Sequence, residues 1–173
     1  RPMKHRTPWS AALLCWLLCL ALLTACGGSP AEAEPAGSCT VSISCATILD
    51  NLDQLNAAKA DFVPDDGVIL PETELSFTEG ETAFDLLQRV CRDNGISMES
   101  SWSPLYKTAY IEGIANLYEF DCGKLSGWMY SVNGEFPNYG CSGYTLQDGD
   151  VICWVYTCDL GEDVGGGYAA GGE

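Results

Sequence analysis

The sequence predicts an α+β domain: a β-grasp-like mixed sheet with one main packed helix, stabilised by disulfides. Three observations lead there. Cys39 to Cys45 alternate, with Cys39, Val41, Ile43 and Cys45 on one side and Thr40, Ser42 and Ser44 on the other, as in a half-buried strand. Thr82 to Asn94 carries the apolar spacing and the end signals of an amphipathic helix. Gly127 to Val132 runs into Asn133-Gly134, a pair suited to a type I′ hairpin turn.

The elements follow in chain order. Arg1, Lys4 and Arg6 precede an apolar run that starts near Ala11, and small residues precede Cys26. A charged start, an apolar stretch of about a dozen residues and a small-residue cut site describe an export signal. The stretch is too short to span a bilayer as a mature helix. Leu23-Thr24-Ala25-Cys26 resembles the bacterial lipoprotein signal. That resemblance implies lipidation at the Cys26 sulfur, cleavage before it and an extracytoplasmic protein held to the cell membrane by acyl chains. A plain secretory signal, with Cys26 incidental, is the alternative. Residues 1–25 are thus expected to be signal, 26–38 a flexible spacer, 39–160 the folded domain and 161–173 a disordered Gly-rich tail.

Charge narrows the classes of function. Of 8 Lys and Arg, 5 lie after the signal against all 24 Asp and Glu, so the mature chain carries about −19 where the full chain carries −16. Such a surface repels nucleic acid, which is excluded as a partner. The single His is His5, inside the signal, so Ser-His and Cys-His nucleophilic sites have no base. No spacing singles out a carboxylate pair, and Asp65-Asp66 and Asp148/Asp150 read as turn chemistry instead of calcium ligands. The chain is read as a non-enzyme with no catalytic residues, no metal site and no cofactor.

Ten cysteines are present, and seven follow Cys26: Cys39, Cys45, Cys91, Cys122, Cys141, Cys153 and Cys158. In an oxidising compartment these read as disulfide formers. Cys39 and Cys45 end one strand about 20 Å apart and cannot bond each other. Cys122 and Cys141 bracket the hairpin and form the favoured pair, worth about 3 kcal/mol in the loop-entropy picture. Cys39, Cys45, Cys91 and Cys158 are the other candidates, and Cys153 is the thiol expected to stay unpaired.

Between the first strand and the helix, Ala46 to Ala60 is expected to be partly helical, with Ile48, Leu49, Leu52 and Leu55 as its stripe. Val68 to Phe77 reads as extended segments broken at Pro71. For the helix, Thr82 is the N-cap, Asp85 the third residue of a capping box and Asn94-Gly95 the stop. Ala83, Phe84, Leu87, Val90 and Cys91 form its apolar face. Val151 to Thr157 is apolar on both faces, as a central strand is.

Two segments, Gly127-Trp128-Met129-Tyr130-Ser131-Val132-Asn133-Gly134 and Leu146-Gln147-Asp148-Gly149-Asp150-Val151-Ile152, together resemble the transcobalamin-like C-terminal domain family, known in bacterial surface proteins as a domain of unknown function of the DUF4430 type. The likeness covers most of Val41 to Asp159. It implies a corrinoid, cobalamin-type ligand, and a membrane vitamin-transporter subunit as a partner in uptake. The large helical barrel that closes over the vitamin in the animal carriers has no room in this chain. Trp128 and Tyr130 share a strand face and Tyr139 follows the hairpin, so these, with Tyr118, are the candidate ligand-binding residues. Trp102, Tyr106 and Tyr110 add aromatics nearby. Packing of Trp128 and Tyr130 on the helix is the competing reading. A structural or adhesive module making protein contacts is the alternative function, and a carboxylate-lined metal-binding lipoprotein a weaker one.

Overall fold

A computed structural model describes residues 34–167. The signal and the lipidation site Cys26 lie outside the described residues. Eight residues, Gly37–Ser44, form β1, so the ordered domain starts two residues inside the expected spacer. Val68–Phe77 forms β2, antiparallel to β1. Val151–Thr157 forms β7 and pairs with β1 in parallel and with β6, Gly127–Val132, antiparallel. The result is a mixed sheet in the order β2-β1-β7-β6. Met98–Ser103 (β3), Thr108–Ile114 (β4) and Leu117–Tyr118 (β5) make a second sheet in the order β3-β4-β5. The α+β class is as expected, but the strands divide between two sheets where one was anticipated.

The helix, α1, spans Ala83–Asn94 and its ends match the sequence signals. Thr82 accepts from the Asp85 amide, the Asp85 carboxylate accepts from the Thr82 amide, and Gly95 closes the helix at φ 66. Together these satisfy orphan backbone groups at both ends. Ala83, Leu86, Leu87, Val90 and Cys91 are buried, while Phe84 is only partly covered.

Pro71 does not divide β2. It sits on an edge strand where the register with β1 slips between Val41 and Ile43, and the irregularity absorbs the missing donor. The helix expected over Ala46 to Ala60 is two short 3-10 turns, Ala46–Asp50 and Ala57–Phe62. Asn51 bonds its side chain back to the Thr47 carbonyl and Asn56 caps the second turn, so local side-chain bonds compete with a continuous helix. Ile48 is buried there, but Leu52 points to solvent.

On β7 only one face is fully buried: Ile152, Trp154 and Tyr156 lie in the core, while Val151, Cys153 and Val155 are half-covered or exposed. The two sheets are tied by polar links from core aromatics, Trp128 Nε1 to the Leu117 carbonyl at 2.8 Å and the Tyr156 hydroxyl to the Tyr118 carbonyl at 2.7 Å. The turn Asn133-Gly134 has φ 52 and 85, both left-handed, as a type I′ hairpin requires.

The tail departs from expectation as far as residue 167. Asp163 accepts from the Thr157 hydroxyl and from the Cys158 amide at 2.7 Å, which folds Glu162–Val164 into a turn against β7. Residues 168–173 lie outside the described residues.

The disulfides are also corrected. All seven thiols of the described residues are free, and no bond joins Cys122 to Cys141. Cys122 Sγ donates to the Asn51 carbonyl, 3.4 Å away, and Cys158 Sγ to Thr47 Oγ1 at 3.8 Å. Cys141 faces the Ala109 carbonyl at 3.8 Å. Chain proximity to one hairpin therefore does not bring these two sulfurs together. Burial pushes Cys39, Cys45, Cys91 and Cys141 up to about 11, which keeps them as thiols at neutral pH.

Candidate functional site

Beside the buried face of the mixed sheet lies an open groove of about 570 Å³. Its long walls are Thr108 to Ile111 of β4 and Gly127 to Tyr130 of β6. Successive residues of one strand point to opposite faces, so a groove lined by consecutive residues looks at strand edges. The segment Pro137 to Cys141 forms one rim, and Phe120, Leu125 and Leu160 form the other.

Local sequence explains why this space stays open. After the Asn133-Gly134 turn, Val132 and Glu135 exchange two backbone bonds. Continuing that register sets Pro137 opposite Tyr130, and proline has no N–H to donate. The returning chain leaves β6 there and becomes the rim. Gly140 is forced at this point, because a Cβ would lie 1.9 Å from Thr108 Oγ1.

Aromatic side chains dominate the walls. Tyr130 stacks on Trp154 with ring centroids 5.5 Å apart, and its hydroxyl donates to the Tyr139 carbonyl at 2.9 Å. Trp128 meets Tyr156 edge to face at 5.3 Å. Both Trp128 and Tyr130 are only 9% exposed, so most of each ring is core and one edge reaches the groove. Tyr106, Phe120, Tyr139 and Tyr110 are the exposed aromatics of the lining, with Tyr106 at 76% and Tyr139 at 50%. Tyr110 lines the β4 wall and donates its hydroxyl to Glu119. Burial, aided by that carboxylate, raises the Tyr110 phenol well above its ordinary value, so it remains a neutral donor.

Of the four predicted ligand-binding residues, Trp128, Tyr130 and Tyr139 come together in this groove. Tyr118 does not line it. Its ring lies against Gly113, where a Cβ would come within 2.6 Å, and the Lys59 ammonium sits 4.4 Å from its centroid. Its hydroxyl donates to Glu99 at 2.6 Å. Glu119, Met129 and Leu160 of the lining were not singled out in the sequence. The alternation of β4 places Tyr110 opposite to its neighbours and was the available signal for that wall.

Among the described residues no group of three or more His, Cys, Asp or Glu is placed to hold a metal ion. None of their helices is long and apolar enough to cross a membrane. The groove can therefore offer shape, aromatic surface and hydrogen bonds, with one carboxylate and no cation in its lining.

Residues 80–158 match the model of the family described as a domain of unknown function, DUF4430. Over these residues the chain is similar to that family. That match includes α1, both groove strands and β7. No curated protein matches the sequence. Solved structures similar to the chain include the following two. One is a candidate metal binding protein from Ruminococcus gnavus ATCC 29149, at 17% identity and TM-score 0.39, covering 70% of this chain and 96% of that one. The other is haptocorrin in complex with Cbi, at 17% identity and TM-score 0.45, covering 72% of this chain. The chain spans 26% of the haptocorrin length.

Proposed function

We propose that this domain is a lipid-anchored extracytoplasmic binding module that captures a corrinoid ligand for uptake. The observation that carries the reading is the groove between β4 and β6. It offers aromatic rings at Trp128, Tyr130, Tyr139, Tyr106 and Tyr110, and carries no cation that would select an anionic ligand. Large flat ligands gain from pre-positioned aromatic surface, because little ordering cost remains on binding. The motif resemblance to the transcobalamin-like family supplies the ligand class. A groove of about 570 Å³ takes one edge of a macrocycle and leaves the other side for a partner, such as a membrane vitamin-transporter subunit. The Cys26 anchor would hold the module next to that subunit.

Calorimetric titration of the full chain with cobalamin and with cobinamide tests this reading. One-sided contact predicts affinity around micromolar, about −8 kcal/mol. No heat and no absorbance change at several hundred micromolar of either ligand would remove the corrinoid.

A further inference from the structure

Both walls of the groove carry main-chain groups that no strand covers. On β6, the Asn133 amide donates to the Val151 carbonyl at 2.8 Å, which turns Asn133 toward β7. Alternation then turns Ser131 and Met129 the same way, and Val132, Tyr130 and Trp128 outward. Val132 spends its outward groups on Glu135. The matching position opposite Tyr130 is Pro137, which has no N–H to give. On β4, the Ala109 amide donates to Ser142 Oγ at 3.0 Å, on the side away from β3, and Ile111 shares that side. Among the described residues no backbone bond outside the strand ladders reaches Trp128, Tyr130 or Ile111. Trp154, at the groove floor, carries a buried Nε1 with no hydrogen-bond partner.

The electrostatics of the same space are one-sided. Among the described residues Glu119 is the single charged residue of the lining, and it sits at the start of β6, with its Cβ 3.7 Å from where a Gly127 Cβ would be. Lys107 and Lys124 are sequence neighbours of lining residues but do not line the groove.

We infer that the groove selects neutral, amide-bearing ligands over their carboxylate analogues, with Glu119 as the residue that sets this preference. Open strand edges present N–H donors and C=O acceptors side by side. An amide group answers both, whereas a carboxylate only accepts. The carboxylate also leaves outward carbonyls unpaired in a desolvated site. Glu119 then repels it at short range, with no cation in the lining to offset the charge. This rests on the corrinoid reading, since the ring edge of a corrinoid is where such amides occur.

The test titrates the full chain, wild type and Glu119→Gln, with cobinamide and with the corrinoid whose ring amides have been hydrolysed to carboxylates. A site built on paired donors and acceptors rejects the mismatched analogue strongly, so the hydrolysed form should bind wild type at least about 100-fold more weakly. Glu119→Gln keeps the side-chain shape and the bond from Tyr110. It should recover about tenfold for the carboxylate form, so the ratio between the two affinities narrows. If wild type binds both corrinoids within about threefold, amide selection is wrong while the corrinoid reading stands. If Glu119→Gln weakens both ligands alike, Glu119 only props Tyr110, and its assignment falls. If neither ligand binds wild type, the corrinoid reading fails and takes the selection with it.

Discussion

The two ends of the β6–β7 pair use the same residue types for different ends. Toward α1 and β1, Ile43, Leu86, Leu87, Ile152 and Trp154 are sealed from solvent and touch one another. Toward β4, Tyr106 and Tyr139 stand in solvent, and the mostly buried Trp128 and Tyr130 each show one edge to a groove. Composition does not separate these regions, since both are aromatic and aliphatic. Backbone closure does. At the closed end β1 and β7 are each paired along both edges, whereas at the open end Pro137 stops a hairpin after one rung. An aromatic becomes a binding surface here because of what its neighbour's main chain cannot do.

Raising the pH gives the largest expected effect and falls on the closed end. Burial holds Cys39, Cys45 and Cys91 up at about 11 from an ordinary 9.0, and Tyr156 at about 12 from 10.0. The unfolded chain ionises these groups at their ordinary values, so the fold alone retains the protons in between. Their stabilising contribution is complete below pH 9 and is lost as the pH rises toward 12. Denaturant midpoints should stay level below that point and fall steadily above it. A flat midpoint up to pH 11 would break the picture of a sealed thiol-rich end.

Trp154→Ala comes next, because Trp154 belongs to both regions. Removing a fully buried indole costs about 3–5 kcal/mol, which urea titration would read directly. The same change strips the stacking partner from Tyr130, so ligand affinity should fall even at temperatures where the variant is folded. A loss below about 1 kcal/mol would mean the groove floor is not part of the core.

Tyr139→Ala is the smallest change in stability and sharpens the contrast. At 50% exposure, its ring should cost no more than about 0.5 kcal/mol on removal. Its effect on cobinamide titration should be larger, about tenfold, if the rim holds the ligand. Equal small effects on both would move the site inward to Trp128 and Tyr130.

What could be read in the sequence was what is encoded locally. The Thr82 and Asp85 capping box, the Gly95 stop and the Asn133-Gly134 turn each act within four residues, and all appear as expected. The stretch Ala46 to Ala60 misled because its leucines kept helical spacing while Asn51 and Asn56 competed for the backbone. β3 was hard to place because it is mostly exposed on both faces, so its partner β4 and not its own pattern makes it a strand. The cysteines bracketing the hairpin gave no distance in space, and Cys122 faces the Asn51 carbonyl while Cys141 faces that of Ala109. Tyr110 and Tyr118 show the limit at the groove. Both are tyrosines in the same short meander, yet Tyr110 lines the wall while Tyr118 lies on the bare backbone of Gly113.

The parallel ladder between β1 and β7 sets a schedule for the chain as it is made. Thr40 to Ser44 find their partners only at Val151 to Val155, so the middle of the core waits for the final strand to emerge. Pairings of such long separation form late and slowly compared with the α1 turn or the hairpin. Until then the growing polypeptide holds a helix, a turn and the strands of the β3-β4-β5 sheet, but the mixed sheet lacks its centre. A first strand that lacks its central partner until Val155 has emerged stays open to other pairings for most of that interval.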